Sequence, residues 1–122
     1  MTVAPSRVEG TPWVARSHGR ESTYQQDLTD RELVEAEVRR LAAQVTEDVR
    51  REGRPAVRVG IKVRFAPFDT HTRSLTLDAP TVDVPPIEEA AVDLLHRLED
   101  GRAIRLLGVR AEMAPLEPDP PA

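Results

Sequence analysis

Between residues 29 and 53, Leu33, Val34, Val38, Leu41, Val45 and Val49 recur every three or four positions, the spacing of a helix with one apolar stripe. Thr29 and Glu32 have the spacing of a capping box at its start. Arg50 and Arg51 suit the negative end of its dipole, and Gly53 ahead of Arg54-Pro55 stops it. A second helix is predicted over 86–100, where Ile87, Ala90, Ala91, Leu94, Leu95 and Leu98 share one face. Pro85 and Pro86 suit its first turn, Gly101 ends it, and its remaining face is acidic. Elsewhere the period falls to two. Over 56–65, Val57, Val59, Ile61, Val63 and Phe65 alternate with Arg58, Gly60, Lys62 and Arg64, which predicts a strand with one dry face and one wet, basic face. Pro67, Phe68 and Asp69 form a turn into a Thr-rich strand over 70–78 that carries Leu75 and Leu77. Strands over about 18–28 and 103–113 complete the order β-α-β-β-α-β. That order predicts an α+β, ferredoxin-like fold: a four-stranded antiparallel sheet with two helices on one face and the other face open.

The apolar content, 39% of 122 residues, supports one compact domain and not two. Pro5, Gly10 and Pro12 mark residues 1–15 as a linker or disordered leader, residues 16–113 form the domain, and Pro115, Pro118, Pro120 and Pro121 mark 114–122 as a disordered tail. Trp13, in the leader, is read as packing onto the domain edge or onto a neighbouring domain. With no cysteine, disulfide scaffolds, thiolate metal sites and thiol nucleophiles are excluded, and a reducing cytoplasm is the natural compartment. No stretch approaches eighteen apolar residues and no export signal is recognisable, so no membrane partner is expected.

A net charge of −4 argues against a polyanion partner until its distribution is considered. Residues 16–26, 54–77 and 102–110 together hold ten basic side chains against Glu21 and Asp69, whereas 27–53, 78–101 and 111–122 are each net acidic. On the predicted fold, the acidic helices point away from the sheet while Arg58, Lys62 and Arg64 emerge from its uncovered face. A basic face can attract a polyanion even on an acidic domain, because charges more than about 10 Å away are screened at physiological salt. Ordinary solvated side chains on an exposed sheet would look the same, and the residues alone leave both readings open. All but one of the basic residues are Arg, which phosphate recognition would favour but a coding bias explains more readily.

No catalytic constellation is present. His18, His71 and His96 lack ligand spacing, so neither a metal nor another cofactor is expected in this chain. The pairs Glu47-Asp48, Glu88-Glu89 and Glu99-Asp100 are read as solvated helix faces. Phosphate-cradling loops and nucleophile elbows have no match. Asparagine is absent, which counts against acylphosphatase-like chemistry on this fold, where the family pattern requires an Arg with an Asn. Base stacking has little to work with, since Phe65 has inward parity and Phe68 sits at the turn. Phosphate contact is the better match: Ser17-His18-Gly19-Arg20-Glu21-Ser22-Thr23 and Thr70-His71-Thr72-Arg73-Ser74 combine hydroxyls, small residues and cations.

The run Ser17 to Tyr24, Lys62-Val63-Arg64-Phe65 with Phe68, Thr72-Arg73-Ser74, and Arg105-Leu106-Leu107-Gly108-Val109 resemble, in order, the little finger domain of Y-family translesion DNA polymerases, the DNA polymerase IV group. The resemblance covers nearly all of 16–113. It implies a domain that lies along primer-template duplex DNA, open sheet toward the major-groove side, contacting phosphates without sequence preference. Carried over by motif position, the contacts are Ser17, His18, Gly19, Arg20, Ser22, Lys62, Arg64, Thr72, Arg73 and Ser74, with Arg58 and Arg105 as further candidates. Arg105 has the alternative role of tying strands together. Strict alternation puts Arg73 on the side of Leu75 and Leu77, which a bulge near Phe68 would reconcile. The resemblance also implies that polymerase activity, with its Mg2+, belongs to the palm of a parent protein acting in lesion bypass and DNA repair, with palm, fingers and thumb as partners. The tail from Ala114 to Pro120 lacks the glutamine and aromatic residues of the family's clamp-binding peptide. Tail docking to a sliding clamp is therefore not expected, while a surface contact stays open. The rival reading is a ferredoxin-like protein-interaction or regulatory module whose basic face meets an acidic protein.

Overall fold

Two helices lay their apolar stripes on the same side of one four-stranded antiparallel sheet. The computed structural model describes residues 16–115; Trp13, the leader, and the tail from residue 116 lie outside the described residues. The elements run β1 (Ser17–Leu28), α1 (Arg31–Glu52), β2 (Ala56–Phe65), β3 (Asp69–Thr81), α2 (Val84–Leu98) and β4 (Ile104–Met113). The strand order is β1-β4-β2-β3, each neighbour antiparallel. β1 and β2, joined through α1, therefore run parallel with β4 between them, and β3 and β4, joined through α2, flank β2 in the same way. Helix α1 lies over β1 and β4, α2 over β2 and β3, and the helices touch each other. Neither helix is long and apolar enough to cross a membrane.

The apolar periods explain why these elements form and how they stack. Val38, Leu41, Val45 and Val49 of α1 and Ile87, Ala91, Leu94 and Leu95 of α2 are buried against Val59, Ile61, Val63 and Phe65 of β2 and Leu107, Val109 and Ala111 of β4. Asp30, rather than Thr29, caps α1: its carboxylate accepts from the N–H groups of Glu32 and Leu33. Gly53 ends the helix at φ +84°, where a side chain would be strained, and its N–H bonds to the Val49 and Arg50 carbonyls. Helix α2 begins at Val84, two residues earlier than expected, with both prolines in its first turn, where a missing N–H costs nothing. Strand β3 continues to Thr81, past the predicted end at 78. Leu33 lies off the buried stripe and is half exposed. Ala56, not Val57, fills the inward place at the start of β2, because the register shifts between Ala56 and Arg58 on both sides of the strand.

Leu33 and Leu41 belong to the same helix and differ in exposure, 48% against 1%. Leu41→Ala is expected to cost about 2–5 kcal/mol, through lost burial and the cavity left behind. Leu33→Ala is expected to stay within about 0.5 kcal/mol of the parent. Urea denaturation midpoints of the two variants check the pair.

Candidate functional site

Because both helices occupy one side, the other side of the sheet is a grid of sixteen outward positions whose neighbours follow from the strand register. One row reads Ser17, Glu112, Arg58, Thr76 across β1, β4, β2 and β3. The next reads Gly19, Arg110, Gly60, Ser74; then Glu21, Gly108, Lys62, Thr72; then Thr23, Leu106, Arg64, Thr70. The first three rows, Thr76 excepted, floor an open trough of about 880 Å³. Four cations and two carboxylates face outward, so the grid is net positive on a net negative chain. Its character changes across the strands. β3 is a strip of hydroxyls, β2 carries three of the four cations, and both carboxylates sit on the β1 and β4 side. Glycines at positions 19, 60 and 108 keep the centre low, and none of the sixteen side chains is aromatic.

The cations on this grid differ from the rest in what holds them. Arg58 Nε donates to Ser74 Oγ at 3.3 Å and Arg64 Nε to Thr70 Oγ1 at 2.9 Å, hydroxyl partners that leave the positive charge uncompensated. Arg110 has no hydrogen-bond or ion-pair partner among the described residues. Lys62 Nζ reaches Glu21 Oε2 at 3.2 Å. By contrast, the arginines of both helices pair with carboxylates, among them Arg39 with Glu35 and Glu88, Arg40 with Glu37, and Arg97 with Asp93.

The residues anticipated from sequence divide between the two sides. Ser17, Gly19, Arg58, Lys62, Arg64, Thr72 and Ser74 share the open face. His18, Arg20 and Ser22 alternate with them on β1 and face α1. His18 Nε2 lies 2.9 Å from Glu52, Arg20 forms a two-pronged bond to Asp48 with both contacts at 2.8 Å, and Ser22 Oγ accepts from Arg40 at 3.1 Å. Arg105 sits where the pairing of β4 with both neighbours shifts register. Its Nε donates to the Tyr24 carbonyl at 3.3 Å and its Nη1 lies 3.4 Å from Asp27, which ties β4 to the irregular end of β1. Arg73 lies directly opposite the buried Ile61, so its side chain starts on the helix side of an edge strand. No register shift occurs between Asp69 and Thr76, and the irregularity falls near Val57 instead of the Phe68 turn. Arg73 reaches the Thr72 carbonyl at 2.8 Å and lines the rim of the trough.

The basic segments are thus less concentrated than their summed charge suggests, since Arg20, Arg54, Arg102 and Arg105 all meet carboxylates. Arg102 also stacks over the buried Phe65 ring, 4.2 Å from its centre. Two residues of the site were not anticipated. Arg110 is the open-face neighbour of Gly19 and Gly60, and its signal was the inward alternation of Leu107, Val109 and Ala111. Asp48, read as a solvated carboxylate, is buried and anchors β1 to α1; its signal was its place three residues beyond Val45 on the apolar stripe. The hydrogen bond from Arg20 holds the Asp48 carboxyl below the usual range. Tyr24, whose hydroxyl donates to Glu37 at 2.9 Å, is pushed up to about 12, chiefly by burial and then by that carboxylate.

Comparison with known proteins gives a concordant picture. The model of the impB/mucB/samB family C-terminal domain matches residues 15–120. DNA polymerase IV 2 of Mycobacterium tuberculosis is 38% identical over 109 residues, 89% of this chain and 32% of the relative. DNA polymerase IV of Streptomyces coelicolor is 42% identical over 89 residues, 73% of this chain and 19% of the relative. The chain spans about a third or less of these curated relatives. Among solved structures, the complex of the beta-clamp processivity factor with the little finger domain of PolIV superposes at a TM-score of 0.67, with 19% identity, covering 87% of this chain and 96% of that one. DinB from Sulfolobus solfataricus superposes at 0.67 with 17% identity, covering 80% and 28%. The fold is that of the little finger domain.

The Arg20–Asp48 bond generates a pH dependence. Asp48 has a lower pKa folded than unfolded, so the stability it contributes is fully present above the unfolded value, about 3.9, and is lost as the pH falls through the folded value. Asp48→Asn is therefore expected to lower the urea midpoint at neutral pH, and the gap to the parent to narrow progressively below about pH 4. Denaturation curves of both proteins across the acid range measure it.

Proposed function

The chain belongs to the impB/mucB/samB C-terminal domain family, and on that premise we propose that its open sheet grips duplex DNA through the phosphates, as the little finger of a translesion polymerase of the DNA polymerase IV type. The observation that carries this reading is the contrast in charge compensation. Arginines on the helices are neutralised by carboxylates, whereas Arg58, Arg64 and Arg110 are left for an external anion. Hydroxyls stand beside them: Ser74 bonds Arg58, Thr70 bonds Arg64, and Thr72 lies across from Lys62. A phosphate oxygen accepts charge-assisted bonds from such cations and further bonds from the hydroxyls. Along β2, Lys62 and Arg64 are two residues apart, about 6–7 Å, a spacing suited to successive phosphates of one strand. The low glycine centre admits the sugar-phosphate chain close to the sheet. With no aromatic side chain on the face among the described residues, bases are not stacked there, and the cations and hydroxyls are engaged by phosphates rather than by base edges.

In this reading His18, Arg20, Ser22 and Arg105 serve the grip indirectly, by fixing β1 and β4 on α1 and on each other. The remaining two-thirds of the parent polymerase would supply the palm, fingers and thumb, and with them the Mg2+ chemistry. Among the described residues no cluster of three or more His, Asp or Glu side chains is arranged to hold a metal ion. The structural neighbour bound to a beta clamp supports a sliding clamp as a second partner, met by a surface of the domain.

If Arg58, Arg64 and Arg110 each neutralise one phosphate and Lys62 is shared between a fourth and Glu21, log affinity for duplex DNA is expected to fall with log salt at a slope of about −2.7 to −3.6, with little preference among sequences. Arg64→Ala and Arg110→Ala should each flatten the slope by about 0.9, while Arg20→Ala should leave it unchanged and lower thermal stability. Fluorescence anisotropy titrations over a salt series provide the slopes. A salt-insensitive wild type, or equal binding to any acidic protein used as competitor, would turn the assignment toward a protein-interaction module.

A further inference from the structure

We propose that Glu21 is a brake built into this grip: a carboxylate laid across the sheet at Gly108 that occupies Lys62 until a phosphate displaces it. The inference rests on the phosphate-grip reading and adds to it a residue that opposes binding. Glu21 belongs to β1 and Lys62 to β2, with β4 between them. Two strand spacings separate the backbones, roughly 9–10 Å, so the 3.2 Å ion pair requires a side chain lying nearly flat over the intervening strand. The residue of β4 in that row is Gly108. A Cβ there would stand 3.1 Å from Glu21 Cγ and 3.6 Å from its Oε2, closer to Cγ than ordinary contact allows. With glycine at position 108 the Glu21 side chain lies low across β4, where even a methyl group would require it to give by a few tenths of an ångström.

The consequence is specific to one of the four cations. A phosphate reaching Arg58, Arg64 or Arg110 displaces at most a hydroxyl or water. To reach Lys62 it must break an ion pair and then sit beside the displaced carboxylate. Both effects lower affinity at the centre of the face, and both weaken with salt. A holder that must release a duplex as it advances gains from such a contact, because the competing partner is tethered and ready to reclaim the lysine.

The test uses the full 122-residue chain, a short mixed-sequence duplex and anisotropy titrations over a salt series. Glu21→Gln is expected to bind about two- to fivefold tighter at low salt, with a slope steeper by up to about 0.9 and a gain that fades as salt rises. In a Lys62→Ala background the same substitution should give a smaller gain, limited to relief of like-charge repulsion, because no lysine is freed. Unchanged or weaker binding by Glu21→Gln overturns the brake, as does a gain undiminished in the Lys62→Ala background. If the wild type shows no salt-dependent duplex binding, the grip itself falls, and that result is distinct from a grip that binds but ignores Glu21.

Discussion

A strand sends successive side chains to opposite faces, and here every strand does so beneath two helices that occupy a single side. The sheet must present dry residues to the helices, which commits the intervening positions to water. Val59, Ile61 and Val63 disappear under α2 and the core, so Arg58, Lys62 and Arg64 have no other place to go. The character of the exposed face is thus a by-product of how the core is built. Register then decides which polar residues become neighbours, and the glycines at its centre decide how closely anything can approach.

The same constraint sorts the arginines. Those that emerge toward α1 find its carboxylates, and the tightest result is the two-pronged bond between Arg20 and buried Asp48. Without Arg20 the largely buried Asp48 carboxylate would lose its two-pronged partner, whereas Arg20 itself is half exposed. Arginines on the far side meet hydroxyls or nothing charged. One element, β1, serves both purposes: its even-numbered residues, 18, 20 and 22, fasten it to the helix, and its odd-numbered ones, 17, 19, 21 and 23, line the face.

Periodicity made the architecture legible. The 3.6-residue stripe of α1 and the alternation of β2 specify which surfaces are dry, and with two helices and four strands in that order little freedom remains. Irregularities were not legible. The register shifts near Val57 and Arg105 leave no mark in composition, yet they decide that Ala56 is buried and that Arg105 braces β1. Asp48 could not be matched to Arg20 from sequence, because the two are 28 residues apart and meet only once β1 is laid against α1. Motif position alone grouped His18 and Arg20 with Gly19, although alternation separates them. Summed charge per segment likewise overstated the basic face, because it counts cations without asking which carboxylates stand opposite.

Arg73 shows what an apparent misplacement accomplishes. Among the described residues β3 is the outermost strand on its side of the sheet, thirteen residues long, with one flank of N–H and C=O groups lacking a neighbouring strand. Exposed flanks of this kind invite a foreign chain to add on, which is the first step of edge-to-edge aggregation. A charged side chain rising from that strand has to be desolvated or moved before a second copy can add on, and Pro80 near the strand's end offers no N–H to bond it. A cation and a proline on the margin of the sheet are thus features that disfavour strand addition there, although neither contributes to the core.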